Sequence, residues 1–200
     1  MSALPADPTL QLAERVLAAI REQGASAALI GAWAMLAHNF ARPTADLDLA
    51  TAVGLPVLRA LGEALGAVGF AVELREPDPQ DPLGGVLDVR AGSCLVQVVN
   101  FRNSASAQES PGLRAAEEAI ATAKLVLEGS PLPVVDLPHL IALKLLSWDR
   151  LSLGSKPAQD IRMLLAHNPG ADLGVVGTTC ERVGLGPEWR AFQALSGTGE

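Results

Sequence analysis

The feature that most limits how this chain can fold is a change of hydrophobic pattern at about residue 135. Before that point, short apolar runs at strand spacing alternate with longer runs at helical spacing, and glycine or proline separates many of them. After it, the pattern turns helical. The sequence therefore predicts an α+β fold, with a mixed β-sheet flanked by helices at residues 1–135 and a C-terminal helical region at residues 136–200.

Periodicity also predicts the individual elements. In the first part we predict helices at 10–20, 33–39, 55–68 and 113–122, and strands at 26–30, 46–51, 70–75, 86–90, 94–101, 125–127 and 133–135. Stretches 76–85 and 102–112 are predicted loops. In the second part we predict helices at 137–148, 158–165, 173–183 and 187–195, the first of them capped by Asp136.

Composition narrows the class of protein. Of the 200 residues, 49% are hydrophobic and the formal net charge is −7, which is typical of a folded chain without a general polyanion-binding face. Cys94 and Cys180 lie far apart in apolar surroundings, so we expect two free thiols. No apolar stretch reaches membrane-spanning length, and residues 1–7 lack the basic run of a signal peptide. We expect a cytoplasmic protein with no membrane segment.

Two aspartates one residue apart, Asp46 and Asp48, interrupt an otherwise apolar predicted strand. Because alternate residues of a strand point to the same face, the two carboxylates should lie side by side. Two like charges that close are unfavourable unless a cation joins them, and Mg²⁺ prefers oxygen ligands and substrate phosphates. A pair of such metals can clamp the attacking and leaving oxygens of a phosphoryl displacement. The alternative is a solvated strand face, where charged residues are common.

Gly31 favours the metal interpretation. It follows a predicted buried strand and precedes a predicted helix, about fifteen residues before the aspartates. A strand, a glycine turn and a helix start can cradle a phosphate with backbone N–H groups. The glycine turn and the carboxylate pair therefore fit one phosphate-handling site.

These residues resemble a known superfamily. The segments 29–38 (LIGAWAMLAH) and 42–49 (RPTADLDL) look like the nucleotidyltransferase superfamily that includes DNA polymerase beta. More narrowly they resemble its AbiEii-like branch, the toxins of abortive-infection toxin–antitoxin systems. Segment 137–147 resembles that family's helix with a central lysine, and segment 156–160 resembles its Lys-Asp-x-x-Asp motif. The likeness spans about residues 28–165.

The resemblance implies roles for individual residues. Asp46 and Asp48 would bind Mg²⁺, in a two-metal site, and the triphosphate of an NTP. Asp160 would lie near the nucleotide or act on the acceptor. The residues that the resemblance assigns to nucleotide binding are Gly31, Ala32, Arg42, Thr44, Lys144 and Lys156.

The three residues of the second part, Lys144, Lys156 and Asp160, also have a purely structural interpretation. Lys144 lies in an apolar helix, where a lysine can simply extend its amine to solvent. Lys156 and Asp160 are four residues apart and can form a surface ion pair on a helix.

The chain departs from the family at three positions. Ala32 replaces a usual Gly or Ser, and Pro157 replaces the first Asp of the Lys-Asp motif. The third carboxylate of the family normally sits on a later strand, and the position that matches it here is Gln97. An amide cannot act as a general base and is a poor Mg²⁺ ligand. Asp88, on the neighbouring predicted strand, is the candidate substitute.

The resemblance therefore implies a Mg²⁺-dependent nucleotidyltransferase that moves a nucleoside monophosphate from an NTP to a hydroxyl group. The acceptor is left open: an RNA end such as that of a tRNA, a protein side chain, or a small molecule such as an antibiotic. If the protein is a toxin, an antitoxin protein is an implied partner. The rival hypothesis keeps the fold without the catalysis, as a nucleotide- or partner-binding module, because of Gln97 and Pro157.

Overall fold

A computed structural model describes residues 7–104, 109–127, 129–150 and 152–197. Its helices are α1 (Pro8–Glu22), α2 (Gly31–Ala37), α3 (Leu55–Ala67), α4 (Pro111–Thr122), α5 (Leu137–Leu146), α6 (Lys156–His167), α7 (Leu173–Val183) and α8 (Gly186–Ser196). Its strands are β1 (Ala27–Ile30), β2 (Leu47–Thr51), β3 (Ala71–Arg75), β4 (Val86–Ala91), β5 (Cys94–Asn100), β6 (Leu125–Val126) and β7 (Pro133–Val134). The α+β fold with a mixed sheet is thus confirmed. Part of the predicted loop at 102–112, residues 105–108, lies outside the described residues.

Four helices begin two residues earlier than predicted, namely α1, α2, α4 and α6, and proline explains the difference in all of them except α2. Pro8, Pro111 and Pro157 lie in the first turns of α1, α4 and α6. At that position a proline loses nothing, because the first N–H groups of a helix have no partner within it. Periodicity of apolar residues cannot detect this extra turn, since it carries few of them.

The seven strands form one sheet in the order β3-β4-β5-β2-β1-β7-β6. The pairs β2–β5 and β1–β7 are parallel, and the other neighbours are antiparallel. In this register Ile30, Asp48, Gln97, Asp88 and Glu73 form one row across five strands. Residues directly opposite one another on paired strands share a face, so this row places the polar residues of the middle strands together.

The two faces of the sheet carry different helices. On one face, α3 packs so closely that a Cβ atom at Gly62 would lie 3.1 Å from the side chain of Leu87. Strand alternation puts Asp88 and the rest of its row on the opposite face. There Asp48 lies within electrostatic reach of Lys144 of α5. The candidate site therefore lies between the sheet and the helices that follow residue 135.

A single cluster of buried hydrophobic residues joins the two predicted regions. It contains residues of α1 and the sheet together with residues of α5 to α8. In the C-terminal part, Phe192 packs against the rings of Trp148 and Trp189, with ring centroids 5.4 and 6.0 Å apart. The change of architecture at residue 135 therefore lies within a shared core, and the division into two domains at that residue stays a prediction.

Cys94 and Cys180 are free thiols, as expected. Burial, with a smaller contribution from the charge of Glu188, raises the pKa of the Cys180 thiol to about 12. Cys180 is therefore a neutral core residue. Within the described ranges, none of the helices is long and apolar enough to cross a membrane.

Candidate active site

The carboxylate pair lies at the start of β2. Asp48 is the second residue of the strand, and its register partners are Ile30 of β1 and Gln97 of β5. Asp46 lies just before the strand, and the hydroxyl group of Thr44 donates a hydrogen bond to its Oδ1 atom. The structure therefore brings Asp46 and Asp48 together at the centre of the sheet, as the sequence predicted.

The environment of the pair disfavours two negative charges. The pKa of Asp48 is raised to about 6, mainly by burial and to a smaller extent by the charge of Asp46. The positive charges of Lys144, Lys156 and Arg42 act in the opposite direction. Three cations contributed by a loop and two helices thus act on the carboxylate of Asp48, an arrangement suited to a polyanionic ligand held through a cation.

Gly31 forms the other wall of the site. It begins α2 directly after β1 and has a φ of +66°, in the left-handed region that favours glycine. A Cβ atom at this position would lie 1.9 Å from the Oδ2 atom of Asp48. The backbone of Gly31 therefore packs against the Asp48 carboxylate, and any side chain would displace it. Ala32 follows and is buried, with 4% of its surface exposed.

Asp160 holds two of the three cations. Its Oδ2 atom is 2.5 Å from the Nζ atom of Lys144, and its Oδ1 atom is 3.3 Å from the Nε atom of Arg42. Only 4% of the Asp160 side chain is exposed. The predicted surface pair with Lys156 does not form, because Asp160 points into the protein while Lys156 is exposed at the start of α6. Asp160 thus anchors Lys144 and Arg42 beside the carboxylate pair.

On β5, the residue directly opposite Asp48 is Gln97, so Asp88 does not lie next to the carboxylate pair. Asp88 lies one strand further, at two strand spacings or about 10 Å from Asp48. It is buried, accepts a 2.8 Å hydrogen bond from Nε2 of Gln97, and lies 3.0 Å from Arg75 and 3.4 Å from Arg90. Reaching the pair would cost Asp88 these contacts. Its role as a third carboxylate stays a prediction that the geometry does not favour.

The two arginines beside Asp88 were missed in the sequence. Arg90 follows Asp88 by two residues on β4, so the two side chains share a face, and this spacing could have indicated the contact. Arg75 comes from β3 through pairing of the strands, which no local pattern indicates.

The donor set at the pair fits Mg²⁺. Two carboxylates are hard oxygen ligands, and the absence of a Cβ at Gly31 leaves the Asp48 carboxylate space to bind. Within the part of the chain that the structure describes, no group of three or more His, Cys, Asp or Glu side chains could hold a metal ion. A metal here would therefore depend on two protein carboxylates together with other oxygen atoms, such as those of a triphosphate.

A cavity of about 350 Å³ lies beside β5. Its wall includes Val99, which lies two residues beyond Gln97 on the same face of β5, and Leu143, which precedes Lys144. The remaining lining residues are mainly apolar and come from the loop before β4 and from the ends of α4 and α5. The cavity can take an uncharged group on the face of β5 that carries Gln97.

Solved structures with a similar fold are known. A solution structure of the antibiotic-resistance factor ANT(2'')-Ia matches with a TM-score of 0.54 and 19% identity, over 94% of this chain and 95% of that chain. A crystal structure of ANT(2'')-Ia in complex with adenylyl-2''-tobramycin matches with a TM-score of 0.55 and 18% identity, over 95% and 99% of the two chains. The chain has a nucleotidyltransferase fold. Neither a known protein-family model nor a curated protein sequence matches it.

The comparison supports the fold that the resemblance implies. At this level of identity the nucleotidyltransferase fold is what the two proteins share. The narrower resemblance to AbiEii-like toxins stays a prediction.

Proposed function

We propose that the protein is a Mg²⁺-dependent nucleotidyltransferase that transfers a nucleoside monophosphate from an NTP to a hydroxyl group. The acceptor oxygen would form a bond to the α-phosphorus while the bond to the bridging oxygen of pyrophosphate breaks, and the hydroxyl proton would leave to solvent. The observation that carries the proposal is the Asp46/Asp48 pair packed against Gly31 on a nucleotidyltransferase fold. The positive charges of Lys144, Lys156 and Arg42, which act on Asp48, support a triphosphate substrate.

The proposal assigns a task to each residue around the pair. Asp46 and Asp48 would hold Mg²⁺, and Thr44 would orient Asp46 through its hydroxyl group. When bound, Mg²⁺ would stabilise charge that develops on the phosphoryl oxygens. The backbone of Gly31 and Ala32 would lie along the phosphates.

The cationic side chains complete the assignment. Lys144, Lys156 and Arg42 would neutralise the triphosphate, since all three already act on the charge of Asp48. Asp160 would be a positioning residue, because its contacts are with Lys144 and Arg42. Its expected action on the acceptor would require it to leave both.

We propose a hydroxyl group as the acceptor and do not assign the molecule that carries it. The apolar cavity beside β5 favours an acceptor with an uncharged surface near its hydroxyl group. The complex of ANT(2'')-Ia with adenylyl-2''-tobramycin motivates a small-molecule acceptor as one candidate. An RNA end, including that of a tRNA, and a role as a cytoplasmic toxin with an antitoxin partner rest on the sequence resemblance alone.

The first test is thermal unfolding with each of the four NTPs, with and without Mg²⁺, on the wild type and on Asp46→Asn/Asp48→Asn. A ligand at about a hundred times its Kd stabilises the native state by roughly 2.7 kcal/mol. We expect Mg²⁺-dependent stabilisation by at least one NTP in the wild type and none in the double variant. The absence of any nucleotide effect on the wild type would contradict the proposal.

The control for this test is Glu22→Gln/Glu63→Gln, which removes two exposed carboxylates from α1 and α3 and should respond to NTP like the wild type. The site variant should itself remain folded. Because the pKa of Asp48 is raised to about 6, the ionised carboxylate lowers the unfolding free energy of the metal-free protein, and this loss is complete above that pH. Asp48→Asn removes the loss. Loss of the nucleotide response in a stable variant would then report on binding.

A second candidate function is nucleotide binding without transfer, and Gln97 at the register position beside Asp48 favours it. The two candidates differ in turnover. Release of pyrophosphate from an NTP in the presence of a panel of hydroxyl acceptors would support transfer. Nucleotide binding that depends on Asp46 and Asp48, with no pyrophosphate from any acceptor, would support the binding module.

A further inference from the structure

Three polar side chains lie in one row on neighbouring strands. Asp48 of β2 is the register partner of Gln97 of β5, and Gln97 is the register partner of Asp88 of β4. Residues opposite one another on paired strands have their side chains on the same face, about 5 Å apart. Gln97 therefore separates the carboxylate pair from the buried carboxylate of Asp88.

The contacts of Asp88 determine which way the Gln97 amide points. Arg75 donates to the Oδ1 atom of Asp88, and Arg90 donates to its Oδ2 atom. A carboxylate between two guanidinium groups accepts hydrogen bonds and offers none, so the Gln97 group that faces it must be the donor, Nε2. That bond is 2.8 Å long.

The other end of the same amide consequently faces away from β4. The oxygen and nitrogen of a carboxamide diverge from its terminal carbon, so Oε1 does not point at Asp88 and stays on the face of the sheet where β2 carries Asp48. The reverse orientation would place two acceptors, Oε1 and the Asp88 carboxylate, against each other.

We infer that Gln97 contributes an uncharged third oxygen ligand to the metal at Asp46 and Asp48, and that Asp88 is the positioning residue that keeps this oxygen directed at the site. The inference rests on the proposed function, since it concerns the same site. It gives Asp88 a role without moving it. Asp88 thus orients the side chain of Gln97 by a hydrogen bond, because the neutral amide is too weak a ligand for the metal to orient by charge.

One consequence is a weaker metal site with different proton chemistry. Three oxygen ligands of which one is neutral carry two negative charges in place of three, and ligand charge is a main determinant of affinity for hard cations. Gln97 also takes no proton, so the acceptor hydroxyl must lose its proton to another group or to water.

The test measures binding of Mn²⁺ alone, as a probe for the Mg²⁺ site, by electron paramagnetic resonance of the free ion. The variants are Gln97→Ala, Asp88→Ala, their double variant and Asp88→Asn. Loss of a group that orients a metal ligand typically weakens binding about 10–100-fold. We expect Gln97→Ala and Asp88→Ala each to raise the Kd for Mn²⁺ about tenfold, and the double variant to equal Gln97→Ala because Asp88 acts through Gln97.

Asp88→Asn separates positioning from charge. Asparagine keeps an oxygen that can accept from Nε2 of Gln97, but it removes the negative charge just as alanine does. We expect Asp88→Asn to retain most of the wild-type affinity. Equal weakening in Asp88→Asn and Asp88→Ala would mean that Asp88 acts by long-range charge, and it would overturn the positioning role.

Gln97→Glu in the Asp88→Asn background covers the case in which an alanine variant does not fold, because an asparagine at position 88 can donate to the new carboxylate whereas Asp88 would repel it. It keeps the size of the side chain and adds a charged oxygen at the inferred ligand position, so Mn²⁺ should bind more tightly than to the wild type. Unchanged or weaker binding would show that position 97 does not face the metal.

The outcomes also separate this inference from the proposed function. Binding that is lost in Asp46→Asn/Asp48→Asn but unaffected by Gln97→Ala and Asp88→Ala would overturn the inference and leave the nucleotidyltransferase proposal intact. No Mn²⁺ binding by the wild type would overturn the inference, and the Mg²⁺-dependent nucleotide thermal shift would then decide the nucleotidyltransferase proposal separately.

Discussion

At the scale of single residues, the site depends on the close approach of Gly31 to Asp48. The left-handed φ of Gly31 is one demand on this position, and it concerns the backbone. The second demand concerns packing, because a Cβ atom at Gly31 would lie only 1.9 Å from Oδ2 of Asp48. Gly24 has a similar φ of +71° with no atom near its Cβ position, so it meets only the first demand.

Gly31→Ala should therefore destabilise the protein more than Gly24→Ala does. Backbone strain costs roughly 1–2 kcal/mol at either position. Only at Gly31 must the Asp48 carboxylate also move, so we expect a larger loss of unfolding free energy and loss of Mg²⁺-dependent NTP binding. Urea unfolding and the nucleotide thermal shift measure the two effects. Equal costs at the two glycines would refute the packing of Gly31 against Asp48.

At the scale of elements, α5 connects the sheet to the helical region and carries Lys144 to the site. Its first turn is capped by Asp136, which accepts from the backbone N–H of His139 at 3.0 Å and contacts the Nδ1 atom of the same residue at 2.7 Å. Burial lowers the pKa of His139, but the hydrogen bond and charge of Asp136, together with Glu118, outweigh burial and raise it overall. The start of α5 is thus a pH-dependent contact.

We expect the charge of Asp136 to stabilise the protein more at pH 6 than at pH 9. His139 has a folded pKa above its ordinary 6.5, so its contribution is fully present below that value and is lost as the pH rises through the folded pKa. Asp136→Asn keeps a capping side chain but removes the charge. Urea unfolding should show a difference from the wild type of under about 1 kcal/mol that shrinks with rising pH.

Asp172→Asn is the matched control, because Asp172 caps α7 through the backbone N–H groups of Gly174 and Val175 without a histidine. Its effect should stay constant between pH 6 and pH 9. If Asp136→Asn were equally independent of pH, the ion pair with His139 would not contribute to stability.

At the scale of the whole molecule, the sheet and the C-terminal helices share one core. Their unfolding should therefore be a single cooperative transition. Trp33 reports on the first region, and Trp148 and Trp189, which are buried, report on the second. In Trp33→Phe and in Trp148→Phe/Trp189→Phe, we expect the fluorescence and far-UV circular dichroism midpoints in urea to coincide. Separate midpoints within either variant would instead support two independently folding units.

Much of the fold could be predicted from the sequence because its signals are local. Helical spacing located α3 and α7 to within two residues, since each buries one face along its length, and the cap at Asp136 located the start of α5. The alternation at residues 46–51 and the glycine at residue 31 identified the carboxylate pair and its turn for the same reason: each signal lies within one element.

By itself, then, the sequence determined the α+β class, the elements and the carboxylate pair, because hydrophobic period, turn residues and strand alternation act over a few neighbouring residues. Only the tertiary structure decided that Gln97 stands between Asp48 and Asp88, and that Asp160 binds Lys144 and Arg42. These contacts join distant parts of the chain. They follow from strand order, register and helix docking, which depend on how the whole core packs rather than on any local pattern.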